Sequence, residues 1–323
     1  MTSSLFAAPP PTVAIGIAAG HVSAVALGHH GREPVITSHA SQALPPGVVV
    51  PSLNASNVAD PPGLARAVGR VLGRLGGRPR RVALVVPDTA AKVSLVRLDK
   101  VPARAEDLDQ LIRWHVRKTA PFRIEDAQLT YSPGAALADG TREFVVALAR
   151  RDVVREFETA CEEAGAHAGL VDLATFSLVN GVLASEPGLT GDWLLVHVTP
   201  EYGTIAILRG ADLIFFRNRA EGSDETLPDL VHQTAMYYED RLGGSAGFTR
   251  VVLACSGMEE GWGGEGGGGL EAIRRQIEGR LRVRLQLFDP RAVARFGDRV
   301  SADPFLLASV APLVGALVRQ GRA

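Results

Sequence analysis

The sequence predicts an α/β protein with two lobes, and three observations support this fold class. The chain has 323 residues, of which 46% are hydrophobic, and this length exceeds what one hydrophobic core usually organises. Runs with the period of a strand alternate with runs that have the period of a helix. A group of three short strands also starts at residue 13 and again at residue 193, so both lobes begin in the same way.

The first half of the chain begins with three predicted strands, at residues 13–17, 22–27 and 34–38. A helix then begins at Asp60, whose carboxylate can cap free amides, and ends at Gly76. The continuous apolar run at 81–87 predicts a central strand that is covered on both faces. Residues 92–149 predict a strand, helix, strand, strand unit inserted into this lobe. After it we expect a helix at 152–165, a strand at 170–173 and a helix at 175–184.

The second half repeats this opening with predicted strands at 193–198, 203–208 and 212–216. Further along, the periodicity predicts helices at 226–242, 270–281 and 304–318, and strands at 250–255 and 283–288. Between residues 261 and 269, seven of nine residues are glycine, which predicts a mobile loop. No Lys-Ser or Lys-Thr pair follows this loop, so we do not expect it to hold a phosphate.

Composition and charge exclude several classes of function. A net charge of -1 gives no electrostatic basis for binding nucleic acid. Cys161 and Cys255 lie far apart, so we expect no metal site and interpret them as buried apolar residues in a reducing compartment. The N-terminal lead-in has no basic region before an apolar stretch, and the apolar segment 304–318 is short for a membrane span. Without a Walker loop or a Gly-x-Ser-x-Gly turn, we predict no catalytic residue.

The segment from 111 to 126 places a basic helix that bears a tryptophan directly before a Pro-Phe turn. On a helical wheel one apolar stripe forms at Leu108, Leu111, Ile112 and Val116. Trp114 falls on the flank of this stripe, so the helix core does not need it. Two interpretations follow, a binding surface and a partly covered tryptophan with solvated charges around it.

Ile112-Arg113-Trp114, followed by Pro121-Phe122 and Ile124-Glu125, resembles the same segment of the PilM family, the actin-like cytoplasmic adaptors of the type IV pilus inner-membrane machinery. Residues 171–180 resemble the family's helix that joins the two lobes, and 304–319, with Gly315, resemble its closing helix. The resemblance implies a two-lobed actin-like fold of the ASKHA, ribonuclease H-like class, with a small subdomain inserted in the first lobe. The implied first lobe covers 1–186, with the insertion at about 91–166 and a terminal helix at 303–320, and the second lobe covers 187–302.

Actin-like proteins bind ATP between their lobes, through two hairpins that approach the phosphates and a glycine turn near the adenosine. Where the family has Asp-Ile-Gly and a downstream lysine, this chain has Gly16-Ile17-Ala18 and Ser23. The aspartate and the glycine of the second hairpin correspond to His197 and Thr199. Because phosphoryl transfer needs carboxylates for Mg²⁺ and open amides for phosphates, we expect no cofactor and no ATP hydrolysis.

A remnant of the nucleotide site, with weak binding of ATP and Mg²⁺, stays open as an alternative. Its members would be Gly16, Ala18, Ser23, His197, Thr199, Thr204, Ser256 and Gly257. Glu201 lies close by in sequence and could restore a weak contact. His197 could also act as a catalytic base. No recognisable motif places a nucleophile beside it, so we interpret it as a core histidine whose nitrogens are satisfied.

The resemblance also implies a partner. PilM proteins hold the short N-terminal cytoplasmic tail of PilN, a bitopic membrane protein, in a groove beside the inserted subdomain. The expected apolar floor of this groove consists of Val93, Leu95, Trp114, Pro121 and Phe122, with Arg113 and Arg117 on its flanks. We therefore expect a cytoplasmic protein that is peripheral at the inner membrane through its partners. A PilO-like protein and pilus motor ATPases would be indirect partners, and self-association is a further expectation.

Two other functions compete with this one. The cytoplasmic domain of GspL, a scaffold protein of type II secretion systems, has a related fold and role. An ATP-binding or ATP-hydrolysing enzyme of the actin and sugar-kinase superfamily is the alternative from a different class. That alternative requires the two phosphate-loop aspartates, whose positions are held here by Gly16 and His197.

Overall fold

A computed structural model describes residues 10–77, 79–137, 139–220, 222, 226–244, 247–256, 269–298, 300 and 303–319. Gly257 and nearly all of the predicted mobile loop at 261–269 lie outside the described residues. The strands are β1 Val13–Ile17, β2 His21–His30, β3 Glu33–Ala43, β4 Arg81–Val86, β5 Ala91–Leu98, β6 Ala127–Ala136, β7 Arg142–Arg150, β8 His167–Leu173, β9 Asp192–Val198, β10 Tyr202–Arg209, β11 Asp212–Ala220, β12 Arg250–Cys255, β13 Leu285–Leu287 and β14 Arg295–Phe296. The helices are α1 Pro61–Arg74, α2 Ala105–Arg117, α3 Arg151–Glu163, α4 Ala174–Ser185, α5 Leu227–Arg241, α6 Gly269–Leu281 and α7 Pro304–Leu317.

The first lobe is built on a six-stranded sheet in the order β14-β3-β2-β1-β4-β8. Its central strands are apolar on both faces because both faces are covered. Ile15 points into a core with α1 and α3, while its neighbour Ala14 points into a core with α7. This alternation explains why the segment at 81–87 is a continuous apolar run, as the sequence predicted.

The second lobe is built on a five-stranded sheet in the order β11-β10-β9-β12-β13. Helices α5 and α6 cover one face, and α4 covers the other. Trp193 is fully buried in this sheet, and its indole N–H donates to the Gly210 carbonyl at 2.8 Å. The repeated three-strand opening that the sequence predicted therefore forms in both lobes, as β1–β3 and β9–β11.

Helices α4 and α7 lie between the two large sheets and cross each other closely. A Cβ atom added at Gly315 of α7 would lie 1.9 Å from the Ser177 carbonyl oxygen of α4. Only glycine allows this approach, because any side chain would collide with the backbone. The crossing places both helices within reach of both sheets.

A separate three-stranded sheet, in the order β5-β7-β6, projects from the first lobe. Together with α2 it forms the strand, helix, strand, strand unit predicted at 92–149. Helix α2 covers one face of this sheet, and the opposite face contacts α4 and β11. Helix α3, which the sequence placed before the end of the insertion near residue 166, packs on α1 in the core of the six-stranded sheet. The predicted domain limits themselves stay a prediction.

Two local differences from the predicted elements have physical causes. β14 was not predicted, because a pair of residues is too short to have a period. The strand predicted at 283–288 is limited to β13, and Arg282 before it has a positive φ of 54°. The helix predicted at 304–318 forms as α7, with Pro312 inside it. Among the described helices, none is long and apolar enough to cross a membrane.

Candidate functional site

A small cavity lies where the two lobes face each other. Its volume is about 50 Å³, which leaves room for a few water molecules. Gly16, Ala18, Ser23, Thr199 and Ser256, all predicted members of the remnant nucleotide site, line it. His197 and Thr204 lie fully buried nearby, on β9 and β10, and Gly257 lies outside the described residues. The fold therefore brings together residues that the sequence separates into two lobes.

Helix α7 closes the side of the cavity next to β1. A Cβ atom added at Gly16 would lie 2.9 Å from Leu313 Cδ2, and Leu313 and Pro312 both line the cavity. Ser23 lies opposite Gly16 in the β1–β2 pair and is buried. The space beside the first hairpin is thus filled by apolar atoms of the protein itself.

Backbone amides of the second hairpin, between β9 and β10, are already bonded. The Thr199 hydroxyl accepts hydrogen bonds from the backbone N–H groups of Glu201 and Tyr202, at 3.2 and 3.0 Å. The N–H of Thr199 donates to the Tyr202 carbonyl at 2.9 Å, and that of Ala18 in the first hairpin donates to the His21 carbonyl at 3.0 Å. A phosphate site needs backbone amides that are free to donate. The four amides described here already donate within the protein, so they are not open to a phosphate.

Asp88 is the central polar residue between the lobes, and the sequence pattern did not single it out. It follows β4, at the start of a short 3-10 helix at Asp88–Ala90, and it is fully buried. Its carboxylate accepts hydrogen bonds from the Thr175 N–H at 3.0 Å, the Thr175 hydroxyl at 2.5 Å and the Thr204 hydroxyl at 2.7 Å. The sequence did offer one signal for Asp88, because it is a polar residue just after the carboxyl end of a central strand. Functional sites in open α/β sheets lie at that end of the strands.

His197 is bonded through both ring nitrogens. Nδ1 lies 2.9 Å from the Thr175 hydroxyl and 3.5 Å from Asp88 Oδ2, and Nε2 lies 2.8 Å from the Ser256 hydroxyl. Because Thr175 donates its only hydroxyl proton to Asp88, its oxygen must accept from His197, so Nδ1 carries a hydrogen. This geometry agrees with the interpretation of a core histidine whose nitrogens are satisfied.

The pKa of Asp88 shows how the charged form is kept in the interior. Burial acts to raise this pKa, but the hydrogen bond and charge of His197 and the two hydrogen bonds from Thr175 together hold it below its ordinary value. Glu201, at the mouth of the cavity, behaves in the opposite way. Burial raises its pKa, and a hydrogen bond with Thr199 offsets this only in part.

A catalytic triad places a nucleophile, a base and an acid next to each other in space. The same spatial order is found here in Ser256, His197 and Asp88. The Ser256 backbone N–H, however, donates to the Val198 carbonyl at 3.0 Å, so it is not available to stabilise an oxyanion. The Thr175 hydroxyl also stands between the histidine and the aspartate. The arrangement orders hydrogen bonds from the cavity to a buried carboxylate, which suits a structural role.

The basic face of α2 forms a second candidate site. Trp114 is 63% exposed, and its ring meets His115 edge to face at a centroid distance of 5.1 Å. Arg113 pairs with Asp109 at 2.7 Å, and Arg117 is exposed. The opposite face of α2 is buried through Ile112 and Val116, as the helical wheel predicted. Trp114 is therefore not a core residue.

The predicted groove residues are divided between two faces of the inserted sheet. Phe122 is half-buried and packs against the core beneath α2, and Pro121 is exposed next to it. Val93 and Leu95 lie on the other face of β5, where they contact the core shared with α4 and the second lobe. The alternation of a strand explains this, because Val96 and Leu98 occupy the α2 side. These two residues do not share a surface with Trp114.

The family of the chain follows from comparison with known proteins. The model of the family "Type IV pilus assembly protein PilM" matches residues 14–241. The chain belongs to the PilM family. Its fold is the two-lobed actin-like α/β fold of that family.

Solved structures extend the match beyond those residues. A PilM–PilN type IV pilus biogenesis complex matches this PilM-family chain with a TM-score of 0.76 and 19% identity, over 96% of this chain and 97% of the other. The cytoplasmic domain of EpsL, an inner-membrane component of the Vibrio cholerae type II secretion system, matches with a TM-score of 0.50 and 9% identity, over 95% of each chain. No curated protein matches the chain. Among the described residues of this PilM-family protein, no group of three His, Cys, Asp or Glu side chains could hold a metal ion.

Proposed function

We propose that this PilM-family protein is an adaptor that binds the N-terminal cytoplasmic tail of a PilN-like membrane protein. The observation that carries the proposal is Trp114, a large aromatic side chain that is 63% exposed on a helix whose opposite face is buried. Exposed aromatic residues beside arginine are typical anchors of peptide sites. The similar structure described as a PilM–PilN complex supports the choice of partner.

The proposed peptide site differs from the groove expected from the sequence. We place it on the α2 side of the inserted sheet, at Trp114, Pro121 and Phe122, with Arg113 and Arg117 at its edge. Val93 and Leu95 support it only indirectly, from the opposite face of β5. Binding through the partner's tail would hold this protein at the cytoplasmic face of the inner membrane.

We further propose that the nucleotide site is degenerate and that the protein is not an ATPase. The hydrogen-bonded turn at Thr199 and the apolar filling beside Gly16 support this. A GspL-like role in secretion is the second candidate, and the EpsL match favours it only at the level of the fold.

The test is a titration of a synthetic PilN-like N-terminal peptide into the wild type and into Trp114→Ala. We expect the variant to bind about thirtyfold more weakly, the loss of roughly 2 kcal/mol expected for one buried aromatic anchor. Met236→Ala is the matched control, because Met236 is 52% exposed but lies on α5 of the second lobe. Equal affinity of Trp114→Ala and wild type, or no binding to wild type, would contradict the adaptor site.

A further inference from the structure

Asp88 lies at the point where three parts of the molecule meet. It follows β4 of the six-stranded sheet, and the three-residue helix that it begins leads directly into β5 of the inserted sheet. The same helix contacts β11 of the second lobe. A residue at this junction can fix the positions of all three parts relative to each other.

Three neighbouring strands of the second lobe each direct one polar side chain at Asp88. His197 of β9, Thr204 of β10 and Asn218 of β11 are direct cross-strand neighbours, in the register His197 opposite Thr204 and Thr204 opposite Asn218. Thr204 donates to the carboxylate, His197 lies 3.5 Å from it, and the Asn218 amide donates to the Asp88 carbonyl at 3.0 Å. One polar row across the sheet therefore converges on one residue of the first lobe.

This row lies in a strongly apolar part of the sheet. In β10 the residues after Thr204 are Ile205, Ala206 and Ile207, and all are buried. A buried charge is tolerated only while its hydrogen bonds are intact, so separating the lobes at this point would leave a carboxylate without its partners. The contacts around Asp88 therefore resist a change of the angle between the lobes.

We propose that Asp88, with His197, Thr204 and Asn218, is a latch that holds the two lobes and the inserted sheet at one fixed angle without a bound ligand. In an actin-like cleft a bound nucleotide can contact both lobes. Here the contacts between the lobes are made by side chains of the protein itself. This inference does not depend on the peptide site, because the latch and Trp114 share no residue. It predicts that loss of one latch hydrogen bond loosens the lobes while each lobe stays folded.

The experiment measures the distance between spin labels on the two lobes of the full chain by pulsed electron paramagnetic resonance. Labels are attached after Arg70→Cys on α1 and Gln276→Cys on α6, both exposed positions. The native thiols of Cys161 and Cys255 are buried, which raises the pKa of each to about 12 and limits their labelling. The chain without the two introduced cysteines measures any remaining background.

We expect one narrow distance in the wild type and a second, longer distance in Thr204→Val. Thr234→Val is the matched control, because Thr234 is also a buried threonine of the second lobe but donates to Leu230 within its own helix. Asn218→Ala and Asp88→Asn remove other parts of the latch and are expected to broaden the distribution as well. Thermal melts identify any variant that fails to fold, and the conclusion then rests on the latch variants that do fold.

Two results would overturn the latch. The first is a distance distribution in Thr204→Val and Asn218→Ala that matches that of Thr234→Val. The second is a wild-type distribution that is already broad and becomes narrow only when Mg-ATP is added, since the ligand and not Asp88 would then set the angle.

Discussion

Gly315 of α7 lies so close to Ser177 of α4 that the backbones of the two helices are in direct contact. A Cβ atom at Gly315 would lie 1.9 Å from the Ser177 carbonyl oxygen. We predict that Gly315→Ala destabilises the protein by roughly 3 kcal/mol, because a backbone collision forces two helices apart. Urea denaturation measures the change.

The control for this prediction is Gly279→Ala. Gly279 lies in α6, is exposed, and has open space where a Cβ atom would be. Alanine there should stabilise the helix by about 0.5 to 1 kcal/mol. If Gly315→Ala were as stable as the wild type, the close crossing of α4 and α7 would be wrong.

Trp114→Ala should leave the stability almost unchanged. The side chain is 63% exposed, so we expect a loss below about 0.5 kcal/mol, as for an ordinary surface substitution. Trp193→Ala, which removes a fully buried tryptophan, should cost roughly 3 to 5 kcal/mol or prevent folding. Chemical denaturation of both variants makes the comparison, and a large loss in Trp114→Ala would show that this residue is part of the core.

Mg-ATP at about 1 mM should raise the melting temperature little. A dissociation constant above ~1 mM would give a stabilisation below about 0.4 kcal/mol. The physical reason is that Thr199 already occupies the amides of its turn and that α7 fills the space beside Gly16. A shift of several degrees in a thermal melt would contradict the degenerate site.

Asp172→Asn should stabilise the protein at pH 7.5 and change it little at pH 4. Burial raises the pKa of Asp172 to about 6 from 3.8, and the charge of Arg319 offsets this only in part. The folded state therefore binds the proton more tightly than the unfolded state, so its stability falls as the pH rises from about 4 to 6 and is level above that. The expected gain at pH 7.5 is about 1 to 2 kcal/mol.

Urea melts of wild type and Asp172→Asn at both pH values test this prediction. The sign is the decisive result, because an aspartate stabilised in its charged form would make the variant less stable at pH 7.5 and not more stable.

Periodicity was sufficient to predict most of the fold, and the reasons are local. The strands and helices of both lobes have clear apolar periods, and the helical wheel correctly placed Trp114 outside the core. The groove expectation went further than the pattern allowed. Val93 and Leu95 alternate with Val96 and Leu98, so the strand period already indicated that the two pairs face opposite ways.

Asp88 could not be predicted in the same way, because its partners are distant in sequence. Thr175, Thr204 and Asn218 lie 87, 116 and 130 residues further along the chain. Neither hairpin has an acid at the position of the family's aspartate, as the sequence indicated, but the fold brings Asp88, which follows β4, to His197. Only the packing of the lobes determines this contact.

The return of the chain to its first sheet has a consequence during synthesis. β14 pairs with β3, and α7 covers the face of the six-stranded sheet that carries Ala14, Val25 and Val85. Both elements follow the whole second lobe in the sequence. At ribosomal rates this apolar face would stay uncovered for on the order of ten seconds after β8 has emerged. A ribosome that pauses within the second lobe would extend this interval, during which the nascent chain is exposed to aggregation and to chaperones.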